Sequence, residues 1–142
     1  MKKVVVRLSS LALALVFVMA LMAPAMAASN PQVQPRWVEL NTLQCELTPK
    51  SGLFSNARAS ATVTAIDPSC KLSLTLTIQV MSGGEFVDTD KSWSSSGQGA
   101  TSVGKDVKLG AGNYRSKAVV TVYSASGAYI ETVTGYSADI LI

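Results

Sequence analysis

There is no histidine in this chain of 142 residues, and that absence removes more chemistry than any motif supplies. Ser-His-Asp and Cys-His nucleophilic sites both need an imidazole to move a proton, so neither can be built here. With only two cysteines as soft ligands, the usual tetrahedral zinc sites are excluded as well. Charged residues are few, at 15%, and the acidic ones fall in no paired arrangement of the kind a glycosidase needs. Asp88-Thr89-Asp90 opens like a calcium loop. The pattern then fails, because its sixth position is Trp93 instead of glycine and its twelfth is Gly99 instead of glutamate. These gaps lead to the expectation of a non-catalytic protein with no cofactor and no metal.

Long apolar runs are missing too, except at the start. Lys2, Lys3 and Arg7 precede an apolar stretch from Leu11 to Met22, and Ala25-Met26-Ala27 follows. A positive leader, a short apolar core and a small-x-small cleavage site make a secretory signal peptide over residues 1–27. The stretch is shorter than the roughly 20 residues of a spanning helix, so no stable membrane anchor is expected after cleavage. The implied destination is extracellular, and the leader has a bacterial style. Three of the twelve basic residues lie in that leader, leaving nine against nine acidic ones. The remaining lysines and arginines are dispersed, which argues against a nucleic-acid partner. Residues 28–36, with Pro31 and Pro35, read as an extended arm.

From Trp37 onward the dominant pattern has period two. Leu72, Leu74, Leu76, Ile78 and Val80 alternate with Ser73, Thr75, Thr77 and Gln79. A strand gathers those apolar residues on one face, whereas a helix would scatter them. Ala57, Ala59, Ala61, Val63 and Ala65 alternate in the same way, and that small-residue face suits close approach to a second sheet or a bulky partner. Asp67-Pro68-Ser69 between the two runs is a turn. The apolar phase slips between Leu40 and Leu43, which indicates a bulge in the first strand. Further strands are expected over Phe86–Trp93, around Val103–Leu109, over Tyr114–Val122 and over residues 129–142, with Ser94 to Gly99 as a loop. About seven antiparallel strands with regular turns argue an all-β, immunoglobulin-like β-sandwich over residues 37–142.

Cys45 and Cys70 share the inward phase of their strands, and an even pair in an exported protein is usually a disulfide. A bridge of that span would stabilise the domain by roughly 3–4 kcal/mol in the chain-entropy account. Gly112-Asn113-Tyr114 has the form of a tyrosine corner. Its hydroxyl is then expected to bond the backbone near Gly110 and Gly112.

Binding is the one function with candidate residues. Phe86 and Trp93 stand beside Gly83-Gly84 and Ser94-Ser95-Ser96-Gly97. Aromatics flanked by serine and glycine suit carbohydrate stacking or a protein contact, although tryptophan often plugs a core. The other loops read as short turns without a large apolar side chain, so the contact surface is expected to centre on Phe86 and residues 92–99.

Arg36-Trp37-Val38-Glu39-Leu40-Asn41, Lys91-Ser92-Trp93-Ser94, Gly112-Asn113-Tyr114-Arg115, residues 119–124 and Glu131-Thr132-Val133-Thr134-Gly135-Tyr136-Ser137 together resemble a family of small uncharacterised secreted proteins of Gram-positive bacteria. The resemblance implies a signal peptide and a compact β domain, and it carries no activity. The expected role is a secreted, non-catalytic binding or interaction module whose partner is an extracellular glycan or protein. The alternative is a secreted effector or toxin-like protein acting on neighbouring cells.

Overall fold

A computed structural model describes residues 37–142. The signal peptide and the extended arm read from the sequence lie outside those residues. The described chain is all β. Its strands are β1 (Leu40–Pro49), β2 (Ala57–Ala65), β3 (Lys71–Ser82), β4 (Glu85–Gln98), β5 (Ala100–Val107), β6 (Asn113–Tyr123), β7 (Tyr129–Tyr136) and β8 (Ile140–Leu141). They form a three-stranded sheet in the order β1-β2-β5. A five-stranded sheet runs β4-β3-β6-β7, with β8 also paired to β6. Every pairing is antiparallel.

The two sheets face each other as a β-sandwich, and period-two patterning explains what lies between them. Leu72, Leu74, Leu76 and Ile78 of β3 are 0–2% exposed. Each contributes about 1.5–3 kcal/mol by leaving water. Opposite them, Ala57, Ala59, Ala61 and Val63 of β2 are equally buried. Ala118, Val120 and Val122 of β6 complete the same core cluster. The alanine face therefore meets the leucine row of the second sheet. The phase slip in β1 is a register shift between Leu40 and Thr42, as the sequence pattern implies.

The Ser94-to-Gly99 stretch is not a loop. Through Gln98 it continues β4, with Ser92, Ser94 and Ser96 opposite Thr77, Thr75 and Ser73 of β3. Serine disfavours strands only weakly when a cross-strand hydroxyl faces it, and the Thr75–Ser94 and Thr77–Ser92 side chains bond at 3.0 Å. The chain then crosses to the other sheet at Gly99. This glycine has φ +71° and lies against the backbone of Pro68, where a Cβ would come within 2.9 Å of the carbonyl oxygen. Its amide donates to the Cys70 carbonyl and its own carbonyl accepts from Ala65, both at 2.8 Å. One residue thus ties the end of β2 to the entry of β3.

The expected disulfide is absent. The two cysteines are not bonded to each other, and their inward phase is right, but they sit at different levels of the sandwich. Cys45 touches Ser116 of β6, which pairs with Ile78 of β3. Cys70 lies eight residues before Ile78 along that strand, about 25 Å at strand rise. A disulfide needs Cα atoms within roughly 7 Å. Burial raises both thiol pKa values above the usual range. Tyr114 also departs from expectation. Its ring covers the Gly110–Gly112 turn, but among the described residues its hydroxyl makes no hydrogen bond to that backbone.

Candidate functional site

The outward phase of the five-stranded sheet builds a largely polar surface, interrupted by Val119 on β6. Cross-strand register aligns it into rows running from β4 through β3 and β6 to β7. One row is Ser96-Ser73-Thr121-Thr132 and the next is Ser94-Thr75-Val119-Thr134. A third is Ser92-Thr77-Lys117-Tyr136. Hydroxyls in the rows bond their neighbours, including Thr121 to Thr132 at 3.2 Å. Apart from Thr77, which is 8% exposed, they keep further donor or acceptor capacity toward solvent.

Beyond the third row the surface becomes a charged and aromatic cluster. The Arg115 guanidinium carbon lies 4.2 Å from the ring centres of both Phe86 and Tyr136. Such stacking suits a flat, weakly hydrated cation. Arg115 Nε donates to Gln79 Oε1 at 2.7 Å. The Gln79 amide donates in turn to Asp88 Oδ1 at 2.7 Å. Gln79 is only 6% exposed, so both of its polar ends are satisfied inside the cluster. Lys117 donates to the other oxygen of Asp88. These bonds, from Lys117 first and Gln79 second, hold the Asp88 carboxyl below its ordinary pKa. Tyr136 stays half exposed, at 50%. At the far end of the rows stand Tyr123 and Tyr129, edge to face at 6.4 Å between centroids, with Tyr129 64% exposed.

Phe86 and Trp93 do not share a site. The register of β4 shifts between the partners of Thr77 and Gln79, where Asp88 and Ser92 flank the irregularity. Thr89 braces it by donating to the Ile78 carbonyl at 2.8 Å. The shift preserves parity, so Phe86 turns outward onto Arg115. Trp93, opposite Leu76, turns inward and packs against the core, partly buried. Asp88 and Asp90 diverge as well: the Asp90 side chain is 93% exposed beside Lys91.

Sequence reading missed four members of the cluster, Gln79, Arg115, Lys117 and Tyr136. Each lies in the outward phase of its own strand, which was readable. Their convergence depends on register between strands far apart in the chain, which was not. The loop of residues 50–56 was missed too. It carries Leu53 and Phe54, 89% and 92% exposed, so the reading that only the Phe86 region offers an apolar loop residue does not hold. The signal was present as an apolar pair between Gly52 and Ser55, out of phase with either adjoining strand.

Compared with known protein families, with curated proteins and with solved structures, the chain finds no match in any of the three.

Proposed function

We propose that the protein is a secreted, non-catalytic binding module, and that the outer face of its five-stranded sheet holds an extended glycan. The observation that carries this reading is the grid of hydroxyls across four strands with aromatic side chains at both ends. A saccharide presents hydroxyls on its rim and C–H groups on its faces. The rows offer partners for the first, and Tyr136, Phe86 and Tyr129 offer stacking surfaces for the second. Tyr123 and Lys117, which pair with Tyr129 and Tyr136, are six residues apart on β6. That places the two aromatic stations about 20 Å apart, a span suited to several sugar units. The immunoglobulin-like plan belongs to the same proposal. It is supported by the strand orders β1-β2-β5 and β4-β3-β6-β7, which divide the chain as such sandwiches do. Export by the leader, and kinship with small secreted Gram-positive proteins, complete the reading.

The test is a pull-down of cell-envelope polysaccharides by wild type, Phe86→Ala and Tyr136→Ala, with circular dichroism to confirm folding. Truncating an aromatic anchor should weaken binding by on the order of 2 kcal/mol. Trp93, on the inner face, should act through stability alone. Equal binding by wild type and both variants would remove this face as the site. No binding by wild type to any envelope fraction would overturn the glycan reading.

A further inference from the structure

The loop between β1 and β2 combines two features that the proposed glycan face does not use. Its tip presents Leu53 and Phe54, the two most exposed large apolar side chains among the described residues, at 89% and 92%. Its base is held firmly. The Asn56 side chain donates to the Leu109 carbonyl and accepts from the Leu109 amide, both at 2.8 Å. The Asn56 backbone accepts from Lys50 at 2.9 Å and donates to Val107 at 3.0 Å. The apolar pair is therefore displayed by a braced loop.

Charge surrounds that base with one sign in excess. Lys50 belongs to the loop, Arg58 follows it, and Lys105 and Lys108 come from β5 and the segment beyond it, Lys105 opposite Ala59. Two carboxylates stand among them: Asp106, shared by Lys50 and Arg58, and Glu46 of β1, exposed and opposite Ser60, the next outward residue after Arg58. Lys105 and Lys108 are exposed and enter no salt bridge among the described residues. We propose that the loop of residues 50–56 is a docking tip for an anionic lipid surface: Leu53 and Phe54 enter the headgroup region while the surrounding cations meet lipid phosphates. Apolar insertion and cationic attraction together are what interfacial binding requires. A second copy of the same face is disfavoured, because two-fold pairing would set two faces of the same net positive sign against each other.

The experiment uses the protein recovered from the medium and sediments it with phosphatidylglycerol–phosphatidylcholine vesicles or with phosphatidylcholine alone. Wild type should bind the anionic vesicles at least about tenfold more strongly, and added salt should weaken that binding. Leu53→Ser/Phe54→Ser should lose about tenfold or more on the anionic vesicles, as should Lys105→Glu/Lys108→Glu. Both pairs lie on the surface, and circular dichroism checks their fold. Phe86→Ala should bind vesicles like wild type, which separates this surface from the glycan face. No binding by wild type, equal binding to both vesicle types, or an unaffected Leu53/Phe54 variant would overturn the proposal.

Discussion

The sulfur of Cys45 lies 3.2 Å from the hydroxyl oxygen of Ser116, so the partner of this cysteine across the sandwich is a serine on β6 and not the other cysteine. Replacing Ser116 with cysteine should create the bridge that the native pair cannot form. The closed span, from residue 45 to residue 116, is 71 residues. The chain-entropy account gives about 4 kcal/mol for it, lessened by losing the bond from Ser116 to the Glu46 carbonyl. Oxidised Ser116→Cys should unfold at higher denaturant than its reduced form, and an equal midpoint would show that the geometry does not permit bonding. In the wild type, a thiol assay in guanidinium without reductant should count two thiols per chain, and both should react slowly when folded.

Leu43 on β1 packs directly onto Gly135 on β7. A Cβ on that glycine would meet Leu43 Cδ2 at 3.0 Å and Cγ at 3.3 Å. Gly135→Ala should therefore destabilise the domain by about 1–3 kcal/mol through overpacking. Adding Leu43→Ala should return part of that loss, so the two changes will be non-additive in a double-mutant cycle. Denaturant midpoints measure all four corners.

Asn56→Ala removes both side-chain bonds to Leu109, whose backbone is then left without those partners beside a side chain only 5% exposed. Stranded polar groups of this kind cost about 1–3 kcal/mol. Urea unfolding should show that loss. Amide hydrogen exchange should rise first at Leu109 and across residues 50–56.

Acid should weaken the fold through its bonded aspartates. Asp88, held by Lys117 and Gln79, Asp106, held by Lys50 and Arg58, and Asp139, held by Asn113, all have depressed pKa values in the folded chain. A depressed folded pKa means that the stabilisation is complete above the unfolded value of about 3.9 and is lost as pH falls through the folded one. The melting temperature should stay level from pH 7 to about 5 and drop below about 4. Asp88→Asn should be less stable near neutrality and should show a shallower drop.

Strand residues with alternating partners were legible from the sequence because period two is a property of the local chain. Leu72 to Ile78, Ala57 to Val63 and the bulge after Leu40 all follow from it. Relationships between strands were not legible in the same way. Phase told that Cys45 and Cys70 point inward but not at which level of the core each sits, since level is set by register. The same limit hid the meeting of Arg115 with Phe86 and Tyr136. Ser94 to Gln98 misled for a different reason: its serines look like a linker in isolation and become a strand only when the hydroxyls of β3 stand beside them.

The antiparallel register has a mechanical side. β1 starts at the end of the sandwich where Gly99 turns, whereas β7 and β8 run toward the opposite end, where Ile142 exchanges backbone bonds with Gly112. Tension between Leu40 and Ile142 would pull β1 lengthwise against β2, and β7 lengthwise against β6. Each ladder is then loaded in shear, and its hydrogen bonds share the force instead of opening one after another like a zip. A domain strung this way between two attachment points would resist stretching far better than one pulled across its strands.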